Sequence, residues 1–245
     1  MAETHLVSGG FYVARIVNRP PWMGDALLPE RLLTLSSCLT DFFPDAWAIE
    51  WASYSEAERI AAAAKVGVRA NDLPMLIRFA TDALDSGRLG WPCVWQSSSA
   101  ALDAITKFDC SPMELAILEL GIPVDVVEEL LSELAPNPRE GELGLYTRLR
   151  KSEPLDVAAT PVGWELLGVE HGGAFHSWLC NSLQDALAAA TGAKPGPFGL
   201  LETEHDARAL DALIANGLGA EPVPWFPGFI SRLEWSADPV ERSPR

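Results

Sequence analysis

The sequence predicts an α+β protein in which helices predominate and short strands lie at both ends and in the middle. Three observations carry this expectation. Residues 11–17, 46–52, 164–169 and 228–235 are short runs rich in aromatic, β-branched or other apolar residues, which is strand chemistry. Most of the intervening stretches place apolar residues three and four apart, several of them behind a capping residue. No internal repeat organises the chain, so a mixed architecture fits better than a solenoid or an all-helical array.

Each element has its own justification. The first strand, FYVARIV at 11–17, is stopped by Asn18, Arg19, Pro20 and Pro21. Residues 27–43 read as a helix with Leu28, Leu32, Leu35 and Leu39 along one side, and 46–52 as a short strand. Ser55-Glu56-Ala57-Glu58 is a capping box opening a helix to residue 66. Ser111-Pro112-Met113-Glu114 is a second, opening a helix over 115–120 that Gly121 ends. Pro123 starts the next helix, 124–134. There Val124, Val127, Leu130, Leu131 and Leu134 define one side, and Asp125, Glu128, Glu129 and Glu133 the other.

Between 135 and 161 the periodicity lapses and prolines recur. This marks a boundary between a helix-rich region, 1–150, and a smaller region, 151–245, with acidic helices. The smaller region reads as a strand at 164–169, a helix at 177–191, a Pro195-Gly196-Pro197 turn and a short strand near 198–201. A helix at 204–216, capped by Thr203 and Asp206, and a final strand at 228–235 complete it.

Charge narrows the function classes. Thirty-four acids against eighteen bases leave a net charge of −16 on 245 residues, and residues 111–245 hold twenty-one of those acids against nine bases. Nucleic-acid affinity comes largely from neutralising phosphates, and an anionic bilayer repels an acidic surface, so neither partner is expected. A basic protein partner fits. The four cysteines, Cys38, Cys93, Cys110 and Cys180, form no CxxC pattern. The opening MAETHLVSGG has neither the basic nor the apolar part of a signal peptide, and no apolar run approaches about 18–20 residues. Free thiols in a reducing cytoplasm are the expected state.

The densest polar cluster is EHGGAFHSWLCN at 170–181. A cysteine hydrolase needs a thiol, a histidine base and an orienting group, and Cys180 with His176 or His171, and Asn181 nearby, supplies those types. Against this, a helix over 177–191 puts Cys180 close to the apolar stripe of Leu179, Leu183 and Leu187, where a buried thiol is inert. Trp178 projects to the other side with Asn181, Ser182 and Asp185, either covered by another element or anchoring a partner. His171, His176, Cys180 and His205 match no zinc spacing. Gly172-Gly173 is too short for a phosphate cradle and reads as a turn from strand to helix. No metal or cofactor is called for. The carboxylate pairs Glu140/Glu142 and Glu202/Glu204 lack an apolar pocket that would suit them to proton transfer. The segment 221–228, EPVPWFPG, is expected to run extended into the last strand.

The runs GWELLGVEHGGAFHSWLCNSL, GLLETEHDARALDALI and GAEPVPWFPGFI within 163–235 resemble small acidic bacterial proteins, some of them like immunity proteins encoded beside polymorphic toxins. The resemblance covers the last third and implies a protein that binds and blocks a toxin domain. It carries over no catalytic residue. The expected function is therefore a non-enzymatic, cytoplasmic protein that binds a basic partner through Glu128, Glu129, Glu133, Glu202, Glu204 and Asp206. Trp178, Asn181 and Asp185 are further contact candidates. A Cys180-dependent hydrolase and a scaffolding subunit are the alternatives.

Overall fold

Helix and strand signals in this chain converge on one antiparallel sheet clad by helices. The computed structural model describes residues 4–23, 28–43, 54–65, 68–108, 114–136 and 142–234. In chain order the elements are β1 (Leu6–Arg15), β2 (Val17–Asn18), β3 (Arg31–Leu32), α1 (Glu56–Lys65), α2 (Leu73–Asp85), β4 (Leu89–Gly90), β5 (Val94–Trp95) and α3 (Ser98–Phe108). Then come β6 (Leu115–Pro123), α4 (Val124–Glu133), α5 (Gly144–Lys151), β7 (Ala159–Val169), β8 (Phe175–Ser177), α6 (Gln184–Thr191), α7 (Glu204–Ala215) and β9 (Trp225–Leu233). Among the described residues seven strands form one sheet in the order β4-β5-β1-β6-β9-β7-β8, and β2 pairs with β3 separately. The fold is α+β. The sheet crosses the boundary expected at residue 150, because β6 pairs directly with β9 from Ile117↔Leu233 to Gly121↔Phe229.

The sheet is buried on both faces, and the alternation of side chains sorts its residues. From β1 and β6, Phe11, Val13, Leu115 and Ile117 pack with Leu76, Phe79 and Ala83 of α2 and Ala101, Ala104 and Ile105 of α3. Tyr12, Ala14, Leu118, Leu120 and Ile122 point the other way, onto Val127 and Leu130 of α4 and Leu145 and Leu149 of α5. Trp164 and Leu166 of β7 face a third cluster with Trp178, Leu179, Leu183, Leu187 of α6 and Leu210 of α7. Each fully buried leucine or isoleucine in these clusters contributes about 2 kcal/mol relative to exposure.

The strands are longer than expected. β1, β6, β7 and β9 run nine to eleven residues. Glycine and proline, read as strand breakers, are absorbed by irregularities instead: the β1/β6 register shifts between Ser8 and Phe11, and the β7/β9 register between Pro161 and Gly163. Gly10 has φ +100, and a Cβ there would stand 2.5 Å from Val94 Cγ1, so only glycine fits that bulge.

Three predicted helices differ. Residues 115–120 are strand, not helix: β6 is buried along its whole length, and a run that is apolar but for Glu119 has no clear period to separate the two states. Ser111–113 of its supposed capping box lie outside the described residues, as do residues 46–52. Residues 28–43 hold β3 and then irregular chain. Here the Thr34 hydroxyl accepts the Ser36 N–H at 2.9 Å and the Ser36 hydroxyl accepts the Cys38 N–H at 3.3 Å. Such local bonds compete with helical ones. The leucines are nonetheless inward, with Leu28, Leu32 and Leu35 buried. The helix expected over 177–191 begins only at Gln184, because His176 and Ser177 belong to β8 and the next six residues form turns.

The connection expected over 135–161 carries α5, whose Leu145, Arg148 and Leu149 are buried. Near 198–201 a 3-10 turn, Pro197–Gly199, takes the place of the expected short strand, and Leu201 alone bridges to Trp164. Elsewhere local signals and structure agree. The Ser55 N–H donates to Glu58 Oε2 at 2.8 Å and the Glu58 N–H to Ser55 Oγ at 3.4 Å, a reciprocal capping box for α1. Thr203 caps α7 by accepting the Asp206 N–H at 3.2 Å. No described helix is long and apolar enough to cross a membrane.

Candidate functional site

Two surface regions gather chemistry-bearing side chains: an acidic face on α4 and α7, and a thiol–imidazole cluster beside β8. On α4, Val127 and Leu130 turn inward, which leaves Asp125, Glu128, Glu129 and Glu133 exposed. Helix α7 adds Glu204, half-buried, whose Oε1 accepts from Arg208 Nε at 2.6 Å. Arg208 also donates to Asp125 Oδ1 at 2.9 Å, so one guanidinium ties the start of α4 to the start of α7. Farther along, Asp211 of α7 lies close enough to Glu129 of α4 to feel its charge. Partial burial first, and then Glu129, raise the Asp211 carboxyl above its ordinary range; Arg208 offsets this in part. Two helices distant in sequence thus hold more acid on one surface than their basic residue balances.

The other predicted contact residues are scattered. Glu202 is exposed just before the α7 cap, and Asp185 is exposed in the first turn of α6. Asn181 is half-buried, its amide donating to the Ser177 carbonyl at 3.3 Å. Two expectations are corrected. Asp206 is buried at the α7 cap, where its carboxylate accepts the Thr203 hydroxyl at 2.6 Å, so it belongs to the helix and not to a surface. Trp178 is fully buried among Trp164, Leu166 and Leu183, because the turns after β8 fold it inward, which is the covered arrangement and not an exposed anchor.

The thiol cluster is built by two tight turns. After β7, the Glu170 N–H donates to the Ala174 carbonyl at 2.9 Å and the Gly173 N–H returns to the Glu170 carbonyl at 2.8 Å. The chain thereby reverses from strand to strand, not from strand to helix. Gly173 has φ +84, and a Cβ there would meet Pro92 Cδ at 2.6 Å. This hairpin sets Glu170 beside His176, whose Nε2 lies 2.7 Å from Glu170 Oε1. An ionised carboxylate only accepts, so Nε2 donates to it, and in the neutral ring Nδ1 then carries the lone pair. Nδ1 faces Cys38 Sγ at 3.7 Å and Glu221 Oε1 at 3.9 Å. Cys38 is exposed on the 36–40 turn, which the Ser37 N–H fastens to the Phe175 carbonyl at 3.0 Å. Glu221 comes from the proline-rich segment before β9, pinned by Trp225 Nε1 donating to its carbonyl at 3.0 Å.

The hydrolase alternative named a different thiol. Cys180 is half-buried, and its Sγ lies 2.9 Å from Ser36 Oγ. Burial pushes its pKa to about 11. His176 faces Cys38, with Nδ1 3.7 Å from its Sγ, and His171 is exposed in the hairpin turn. Sequence reasoning missed Cys38, Glu170 and Glu221, since Cys38 and His176 stand far apart in the chain and no local pattern joins them.

Beneath the turn, Glu165 of β7 is buried, accepting from the Thr34 hydroxyl and from the Leu35 N–H at 3.0 Å. Burial raises it to about 7. A separate cavity of about 220 Å³ borders Phe11, Glu119, Arg148 and Asp156. Its acids and its guanidinium stand side by side, which favours no ligand of single charge. Among the described residues no group of three or more His, Cys, Asp or Glu side chains is placed to hold a metal. No protein-family model, curated protein or solved structure matches the chain.

Proposed function

We propose that this is a non-enzymatic protein-binding protein whose α4/α7 face receives a basic protein. One observation carries the reading: Asp125, Glu128, Glu129 and Glu133 stand exposed along α4, and Arg208 of α7, which reaches this face, is shared between Asp125 and Glu204. Like charges in proximity cost stability, and a cation supplied by a partner relieves that cost. Exposed Glu128, Glu133 and Glu202 extend the same field, whose main effect is to speed encounter and select a partner of opposite sign. The narrower role is that of an immunity protein neutralising a basic toxin domain in a bacterial cytoplasm, and it rests on the resemblance of 163–235.

The test is affinity purification of the full chain from its native cell. A stoichiometric basic protein that separates only at high salt supports the reading. Reversing Glu128, Glu129, Glu133 and Asp211 together should then weaken the complex and flatten its salt dependence. A partner whose binding is indifferent to both changes, or a chain that elutes alone, overturns it.

A further inference from the structure

The cluster around Cys38 shares no residue with the acidic face. Its geometry points to Cys38 as a nucleophile that exchanges with small disulfides from solvent and is thereby converted to a mixed disulfide. In this assignment His176 is the base, and Glu170 and Glu221 are positioning residues.

The imidazole carries the assignment. Its Nε2 is committed to Glu170 at 2.7 Å, which fixes the ring and directs the Nδ1 lone pair at the Cys38 thiol 3.7 Å away. When Nδ1 takes the thiol proton, the resulting cation lies between Glu170 and Glu221, whose Oε1 is 3.9 Å from Nδ1. The other Glu221 oxygen, Oε2, on a side chain 40% exposed, is itself buried with no hydrogen-bond partner among the described residues, so this carboxylate gains from a cation nearby. Charge separation into thiolate and imidazolium is therefore supported on both sides of the ring.

The surroundings select the reaction. Acyl transfer requires N–H donors aimed at a developing oxyanion. Those of the Cys38 turn are already spent: Ser37 N–H on the Phe175 carbonyl, Cys38 N–H on Ser36 Oγ, and Leu39 and Thr40 N–H on the Ser36 carbonyl. Disulfide exchange needs no such donor, only an accessible thiolate and a proton for the leaving group. The Cys38 proton passes to Nδ1. The Cys38 sulfur then bonds to one sulfur of RS–SR as the S–S bond breaks, and the departing RS⁻ collects the proton from Nδ1. The balance is Cys38–SH + RSSR → Cys38–S–SR + RSH. Cys180 lies nearby but is bonded to Ser36 Oγ and stays protonated near neutrality, so it does not rapidly displace the adduct.

The test uses the full chain with oxidised glutathione near pH 7, read by intact mass and peptide mapping. One adduct is expected, on Cys38. His176→Gln should slow its formation at least about threefold. Glu170→Gln should give a smaller loss, and Cys180→Ser should leave the rate unchanged. The titratable groups around Cys38 and His176 are Glu170 and Glu221, with Glu165 and the protonated Cys180 beneath the turn. Equal modification of another cysteine, or a folded His176→Gln protein reacting at the native rate, overturns the assignment. If His176→Gln does not fold, Glu170→Gln and Glu221→Gln decide: folded variants that both react at the native rate refute the assignment, and a slower rate in either supports it.

Discussion

Replacing Glu165 with glutamine should change how stability depends on pH more than it changes stability itself. Glu165 is fully buried and its carboxyl titrates at about 7 in the folded protein, against 4.5 for an ordinary glutamate. The folded chain therefore holds this proton more tightly than the unfolded chain. Its contribution is complete below pH 4.5 and is lost as pH rises through 7, for a total of about 3 kcal/mol. About 2.5 kcal/mol of that falls between pH 5 and pH 8. Glutamine is neutral throughout but cannot accept at both oxygens, where the Thr34 hydroxyl and the Leu35 N–H donate. At pH 5 the variant should be the less stable by about 1–2 kcal/mol. At pH 8 that deficit should vanish or reverse. Urea unfolding of both proteins at both pH values gives a double difference in which all other titrations cancel. A value under about 1 kcal/mol would show that the hydrogen bonds from Thr34, Leu35 and the Ser177 hydroxyl compensate the carboxylate's burial fully, and would refute the reasoning.

Three further outcomes follow from local geometry. Gly10→Ala should cost about 3 kcal/mol in urea unfolding, since φ +100 is strained for alanine and its Cβ would press on Val94 and on the Trp95 carbonyl at 3.3 Å. Thr203→Ala should cost about 1 kcal/mol through the lost α7 cap, whereas Thr203→Ser should restore most of it, by the same measurement. Asp211→Asn should raise the melting temperature slightly at neutral pH, by a few tenths of a kcal/mol in a half-exposed setting, while weakening capture of a basic partner. A melting temperature that falls would mean Asp211 is held by favourable contacts, against the repulsion read here.

What could be read from the chain depended on whether the relevant contacts are local. Helix α4 was legible because Val127, Leu130 and Leu134 recur on one side with acids opposite, and α7 because Thr203 and Asp206 cap it within four residues. Residues 28–43 misled because Leu28, Leu32 and Leu35 have helical spacing for another reason: Leu28 and Leu32 enter one core cluster and Leu35 another, from β3 and the irregular chain on either side of it. The hydroxyls of Thr34, Ser36 and Thr40 were the contrary signal, since all three bond backbone groups here. Strand β6 has no polar face to give it a period. The Cys38 cluster was invisible for a different reason, as its thiol, imidazole and carboxylates meet only after the 36–40 turn docks on β8.

The order of strands has a consequence for the growing chain. Among the described residues β9 is the last strand in sequence, yet it lies between β6 and β7. A polypeptide synthesised only as far as about residue 220 has both neighbours available but not the strand that joins them. Such an intermediate presents two unpaired strand edges at what will become the middle of the sheet, among Leu118, Leu120 and Leu167. Unpaired, apolar edges template intermolecular pairing. Premature termination or proteolytic loss ahead of Trp225 should therefore yield aggregates, not a slightly weakened protein, and the final strand acts as the keystone on which a folded product depends.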